Sequence, residues 1–250
     1  MDRSSEFAGR SAFVTGAGTG IGAAVARELA SRGAAVAIFG RRAARLEETA
    51  GAIRADGGKV LVVVGNVADA QNVENAIQRT VAEFGGLHFA VNNAGVDGGT
   101  QKLAEVSVAN WHETLDTNLS GVFFGLKYQI PAILASGGGA IVNVSSVFSD
   151  RGLPQHAAYT ASKHGVHGLT RAAAHDYAAE NIRINELLPG VIDTPMLDTN
   201  RGMVDQMTAF IPQRRLGDPR EVARAVCFLL GDEASYMTGA RVAVDGGFLI

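Results

Sequence analysis

Short apolar runs alternate with helix-period stretches along the chain, and glycine-rich or polar turns separate them. Residues 11–14 are the first apolar run. The turn Thr15-Gly16-Ala17-Gly18-Thr19-Gly20-Ile21-Gly22 follows and opens a helical pattern over 23–32, with Gly33 as its C-cap. A second buried run, 34–39, ends at Gly40-Arg41-Arg42, and a charged amphipathic helix is expected at about 43–55. Residues 60–64 predict a third strand, stopping at Gly65-Asn66-Val67, and Asp69 reads as the N-cap of a helix reaching Phe84. The fourth strand, 87–91, stops at Asn92-Asn93-Ala94-Gly95. One long helix is expected over 109–134, bent or weakened at Pro131. Next come a fifth strand at 140–144, a helix carrying Tyr159 to about residue 180, and a sixth strand at 182–187 closed by Pro189-Gly190. Residues 196–210 read as an irregular, methionine-bearing segment, before a helix at 219–230 and a last strand at 241–244.

Strands alternating with helices imply right-handed βαβ units. The expected fold is α/β: a single Rossmann-like, doubly wound, mainly parallel seven-stranded sheet with helices on both faces. No linker rich in proline, serine or charge interrupts the pattern, so residues 1–250 are expected to be one domain. The net charge of −3 offers no general electrostatic reason to bind nucleic acid or an anionic membrane, and neither partner is expected. Residues 1–6 lack an apolar targeting core, and no apolar run reaches membrane-spanning length. Cys227 is the only cysteine, so no intrachain disulfide can form; this suits a reducing compartment, and a cytoplasmic location is expected.

Two patterns carry chemistry. Glycines at 16, 20 and 22, with Gly18 between, let backbone approach a pyrophosphate, and the next helix offers its N-terminal N–H groups. No Gly-Lys-Ser/Thr follows, which argues against a nucleoside-triphosphate loop. Tyr159 and Lys163 are four apart, on one helix face. A neighbouring ammonium favours the tyrosinate and is expected to lower the phenol pKa from about 10, as general acid–base work near neutrality requires.

Thr15-Gly16-x-x-x-Gly20-Ile21-Gly22, Asn92-Asn93-Ala94-Gly95, Asn118, Ser146, Tyr159-x-x-x-Lys163 and Pro189-Gly190 occur in the order found in short-chain dehydrogenases/reductases. The chain resembles that family over essentially its whole length, down to Asp245-Gly246-Gly247. The resemblance implies hydride transfer between a nicotinamide cofactor and a small-molecule ketone or aldehyde and its alcohol. Tyr159 would be the acid/base, Ser146 would hold the same substrate oxygen, and Ser145 would be structural. Lys163 would lower the tyrosine pKa and bind the nicotinamide ribose, and Asn118 would anchor a water linking Lys163 to solvent. Gly16, Gly18, Thr19, Gly20, Ile21 and Gly22 would take the pyrophosphate; Asn92, Ala94 and Gly95 the adenine-ribose side; Asn66 and Val67 the adenine, with asparagine where the family often has aspartate. Pro189, Gly190, Val191, Ile192 and Thr194 would contact the carboxamide side. It also implies a homotetramer packed through 109–134 and 157–180, with Phe248-Leu249-Ile250 at another interface.

Cofactor choice turns on the second strand. An acid at its end commonly bonds the adenosine ribose of NAD; here Gly40 stands there, followed by Arg41 and Arg42, which can bind a 2′-phosphate. NADP(H) is therefore expected in preference to NAD(H), with neutral Thr19 counting against it. The alternatives are an NAD(H)-linked dehydrogenase of a polyol, sugar or hydroxysteroid, or a nucleotide-binding sensor without turnover. No metal is expected: His164 and His167 are three apart but no third ligand has supporting spacing. Candidate substrate-lining residues are Asp97, Val147, Phe148, Leu153, His156 and Gly190, while Met196, Met203, Met207 and Phe210 read equally as an apolar wall or a core stripe. Glu186 places a carboxylate where the family commonly has a small residue, facing either pocket or solvent.

Overall fold

The computed structural model describes residues 5–250, with backbone alone at 199–201 and 203. The side chain of Met203, one of the wall candidates, thus lies outside the described residues, as do residues 1–4.

The elements are β1 (Ser11–Thr15), α1 (Gly20–Ser31), β2 (Ala35–Gly40), α2 (Ala43–Ala55), β3 (Val60–Val64), α3 (Ala70–Phe84) and β4 (Phe89–Asn92). They continue with α4 (Val108–Leu115), α5 (Gly121–Ala135), β5 (Gly139–Val144), α6 (Ala157–Tyr177), β6 (Ile182–Pro189), α7 (Val204–Ala209), α8 (Pro219–Leu230) and β7 (Arg241–Val244). All seven strands pair in parallel in one sheet, ordered β3-β2-β1-β4-β5-β6-β7.

Strands covered on both faces must be apolar on both, as the central strand β1 is. In β1, Ala12 and Val14 face the layer of α1, α2 and α8, where they meet Val25, Leu29, Leu46, Ile53 and Val226. Phe13 faces the layer of α3, α5 and α6, with Val73, Ile77, Leu126 and Val166. Helix ends are set by local chemistry. Asp69 caps α3 by accepting from Gln71 N and Asn72 N, and Gly85 closes it in the left-handed region at φ 78°. Asp218 and Glu221 form a reciprocal capping box at the start of α8, with Pro219 in its first turn.

Two expectations change. The single helix over 109–134 is α4 and α5 joined by a π turn, Asp116–Ser120, which holds Asn118, while Pro131 lies inside α5 without ending it. Residues 196–210 are not irregular: a 3-10 segment, Pro195–Met203, leads into α7. The sheet order reverses between β1 and β4, adjacent strands from which the chain winds in opposite directions. In such sheets ligands bind beyond the carboxyl ends of the strands at this switch point.

Candidate active site

The glycine-rich turn lies at that point because its glycines let it lie flat on the β4 end. A Cβ added to Gly16 would stand 2.8 Å from Ala94 Cα, and one on Gly22 would collide with the Gly16 carbonyl oxygen. Thr15 Oγ1 accepts from Asn93 N at 2.9 Å and Ala94 N at 3.0 Å, and Asn93 Nδ2 donates to Thr15 O at 3.0 Å. Thr19 makes no side-chain cap on α1, and the first turn holds no acid. The α1 start therefore keeps N–H groups and positive dipole available to an anion. Across the groove, a Cβ on Gly20 would come 3.1 Å from Thr194 Cγ2, which places these two expected cofactor residues face to face. Gly18 lies against Arg45, and Ile21 packs from the side against the core.

At the β2 end Arg41 and Arg42 are exposed, and Arg42 Nη2 donates to Thr19 Oγ1 at 3.3 Å. Arg45 is engaged instead by Glu48 at 2.8 Å. At the β3 end Asn66 Oδ1 accepts from Ala68 N at 3.2 Å, leaving a second lone pair, and Val67 is buried under Gly121. The groove, with an uncapped helix start, glycine-only clearances and a guanidinium at its rim, fits a dinucleotide.

Two expected cofactor residues turn their side chains away. Asn92 is buried, exchanging both amide hydrogen bonds with Gln129 and donating to Asn143 Oδ1, so only its backbone remains for the adenine-ribose side. Ile192 likewise points into the core, against Gly217. In both cases apolar or polar partners inside the fold outbid the groove. Gly190, between Pro189 and Val191, is held for packing, since a Cβ there would stand 2.7 Å from Asp245 Cα.

The four catalytic candidates converge. The π turn aims Asn118 at the β4 loop: its Oδ1 accepts from Val96 N at 2.8 Å, and its Nδ2 donates to Val96 O at 2.9 Å and Ser162 Oγ at 3.1 Å. Ser162 in turn donates to Tyr159 O at 2.7 Å. Ser146 bonds the Tyr159 side chain and caps the next turn through Phe148 N, whereas Ser145 donates to the Lys163 carbonyl. Lys163 Nζ is buried, donates to Val144 O at 3.1 Å and lies 5.6 Å from the Tyr159 ring centroid. A Cβ on Gly95 would stand 3.3 Å from Asn118 Oδ1 and 3.8 Å from Lys163 Nζ, so glycine keeps the space above them open.

The electrostatics correct the expected tyrosine pKa. Burial pushes the Tyr159 phenol up; the Ser146 hydrogen bond opposes this, and Asp97 adds to it. Burial lowers Lys163 itself to about 8, with Glu186 acting the other way. Glu186 faces neither pocket nor solvent: it is wholly buried beneath α6.

Beyond Tyr159, the loops carrying Asp97 and His156 meet through a bridge between Gln101 and His156. Val147 is buried, Phe148 packs on Phe248, and Leu153 N donates to Thr160 Oγ1 at 3.2 Å. Met196 and Phe210 are exposed, so a core stripe is not what they form. His164 and His167 turn to different partners, the Thr160 carbonyl and Glu186. Sequence reading placed Thr15 and Asn93 in motifs without giving them a role, and passed over Ser162, which nothing in its own spacing marks.

The family model described as "Enoyl-(Acyl carrier protein) reductase" matches residues 16–249. Cyclohexanol dehydrogenase of Acinetobacter sp. (strain SE19) is 41% identical over 245 residues, covering 98% of this chain and 97% of that protein. Cis-4-hydroxycyclohexanecarboxylate dehydrogenase of Sinomonas cyclohexanicum is 44% identical over 243 residues, 97% of each. The crystal structure of an actinorhodin polyketide ketoreductase with NADPH superposes with a TM-score of 0.91 at 33% identity, covering 96% of this chain and 97% of that one. The chain belongs to the short-chain dehydrogenase/reductase family, oxidoreductases acting on CH–OH and C=O groups.

Proposed function

We propose that this enzyme interconverts a secondary alcohol on a carbocyclic ring and the corresponding ketone, using NADP(H) in preference to NAD(H). The observation that carries the catalytic part is the convergence of Ser146, Tyr159, Lys163 and Asn118 at the open end of the switch-point groove. When bound, the nicotinamide supplies or accepts the hydride. Tyr159 gives its proton to the carbonyl oxygen or takes that of the alcohol, and Ser146 holds the same oxygen. Lys163, mostly protonated below its pKa of about 8, offers its charge and donors to the nicotinamide ribose and to the phenolate as it forms. Asn118, whose Oδ1 keeps a lone pair beyond its bond from Val96 N, anchors the water of the proton relay.

Arg42, poised over Thr19, supports the NADP(H) preference by offering a charge-assisted bond to a 2′-phosphate. The ring substrate is supported by two relatives named for cyclohexane alcohols. One unit over 1–250, a homotetramer and a cytoplasmic location complete the reading; among the described residues no helix is long and apolar enough to cross a membrane. The test follows nicotinamide absorbance with cyclohexanol, cyclohexanone and open-chain analogues, for wild type and a variant with Arg41→Ala and Arg42→Ala. The double variant should lose about 2 kcal/mol of NADP(H) binding and almost none of NAD(H) binding. Equal loss for both cofactors, or preference for open-chain ketones, would overturn the respective part.

A further inference from the structure

Glu186 has no part in the chemistry above, and its placement is costly. On β6, wholly buried, its Oε2 accepts from His167 Nδ1 at 2.7 Å and Arg241 Nε at 3.2 Å. Its Oε1 has no hydrogen-bond partner among the described residues. A buried carboxylate with one oxygen unsatisfied weakens a fold, and an apolar side chain of similar size would pack as well or better. Stability alone does not account for it.

Its partners reach both halves of the catalytic site. His167 lies on α6, one turn beyond Lys163. Arg241, on β7, also donates to Asp150 Oδ1 at 2.8 Å and to Ser149 Oγ at 2.9 Å. Ser149 ends the 3-10 turn, Val147–Ser149, that Ser146 caps through Phe148 N. One carboxylate therefore joins the helix of Tyr159 and Lys163 to the turn that starts at Ser146. The charged and titratable groups around it are His167 and Lys163 from α6 and Arg241 from β7, with Asp150 beyond the arginine and Arg151 and His164 acting on Asp150.

We propose that Glu186 is a positioning residue of this site, bracing the Tyr159–Lys163 helix against the Ser146 turn through His167 and Arg241 and offsetting the charge of the buried Lys163 ammonium. The inference rests on the roles given to Tyr159 and Lys163. Its electrostatic half agrees with Lys163, which burial lowers to about 8 while Glu186 alone acts upward.

The test compares pH profiles of kcat and kcat/KM, thermal midpoints and cofactor Kd for wild type, Glu186→Gln, Arg241→Lys and Tyr159→Phe. Glu186→Gln keeps size and hydrogen bonding but removes the charge. Wild-type activity should fall as pH rises through about 8, and in this variant the fall should come about one unit lower, the effect of one nearby charge. Arg241→Lys keeps the charge but lacks the fork that reaches Glu186, Ser149 and Asp150 at once. It should lower kcat roughly tenfold to a hundredfold, the scale of a misplaced catalytic group, with the alkaline limb unmoved. A limb that stays put in Glu186→Gln, or wild-type kcat in Arg241→Lys, overturns the inference. Should Glu186→Gln not fold, Glu186→Asp draws the charge back and must move the limb the same way by less; no movement overturns it too. Activity persisting in Tyr159→Phe would overturn the underlying reading instead.

Discussion

Tyr159 and Lys163 share a dry site that disfavours the charged form of each, and this sets their behaviour with pH. The lysine holds its proton less firmly in the fold than in the unfolded chain, about 8 against 10.5. Below pH 8 the folded protein therefore carries a penalty of about 3 kcal/mol, relieved as pH rises from about 8 towards the unfolded value. Lys163→Met should remove most of that penalty at neutral pH, less the lost bond to Val144 O, for a gain of about 1–2 kcal/mol in denaturant unfolding. The same variant should lose turnover and cofactor affinity together, since the ribose and the phenolate lose one ammonium. A less stable Lys163→Met would show that burial of the charge is not costly. Tyr159→Phe isolates the hydroxyl: turnover should fall by roughly a hundredfold to ten-thousandfold, with cofactor Kd nearly unchanged. Near-wild-type turnover would remove Tyr159 as the acid.

At the scale of elements, the site is assembled by close approaches that leave no room for side chains. Gly22 allows α1 to start against the Gly16 carbonyl, and a methyl group there has to displace backbone. Gly22→Ala should cost about 2 kcal/mol of stability as overpacking and should weaken dinucleotide binding, because the α1 start is what the pyrophosphate meets. Titrating the nucleotide into Gly22→Ala checks this; unaltered affinity would mean that the helix start does not bind. These glycines were legible because a turn after a strand and before a helix needs them. The strands were legible too, since burial on both faces writes uninterrupted apolar runs such as residues 34–39. The π turn was not: residues 109–134 keep a helical period, and the extra residue at Asn118 is selected by partners from elsewhere, Val96 and Ser162. Glu186 and Asn92 were opaque for the same reason. Whether a polar side chain in a strand faces a groove, solvent or a buried partner depends on His167, Arg241 and Gln129, all distant in sequence.

For the whole molecule, the surface away from the groove carries apolar side chains that one chain does not cover. Leu103, Val108 on α4, Phe123 on α5, Phe228 on α8, Tyr236 and Ile250 are all exposed. Phe248 packs on Phe148 and under Arg151 of its own chain, leaving Ile250 as the exposed tip. Exposed apolar side chains on α5 and, separately, on α8 and at the C-terminus suit two different twofold interfaces, which together would close a tetramer of dihedral symmetry. Sedimentation of the wild-type protein at micromolar concentration should accordingly show a tetramer. Phe123→Glu places a charge on the α5 face only, so it should stop assembly at the dimer held by the other face. Its groove residues are untouched, and dinucleotide binding should persist in that dimer. Wild-type protein sedimenting as a monomer would refute the assembly, and a Phe123→Glu protein that remains tetrameric would show that α5 is not one of its faces.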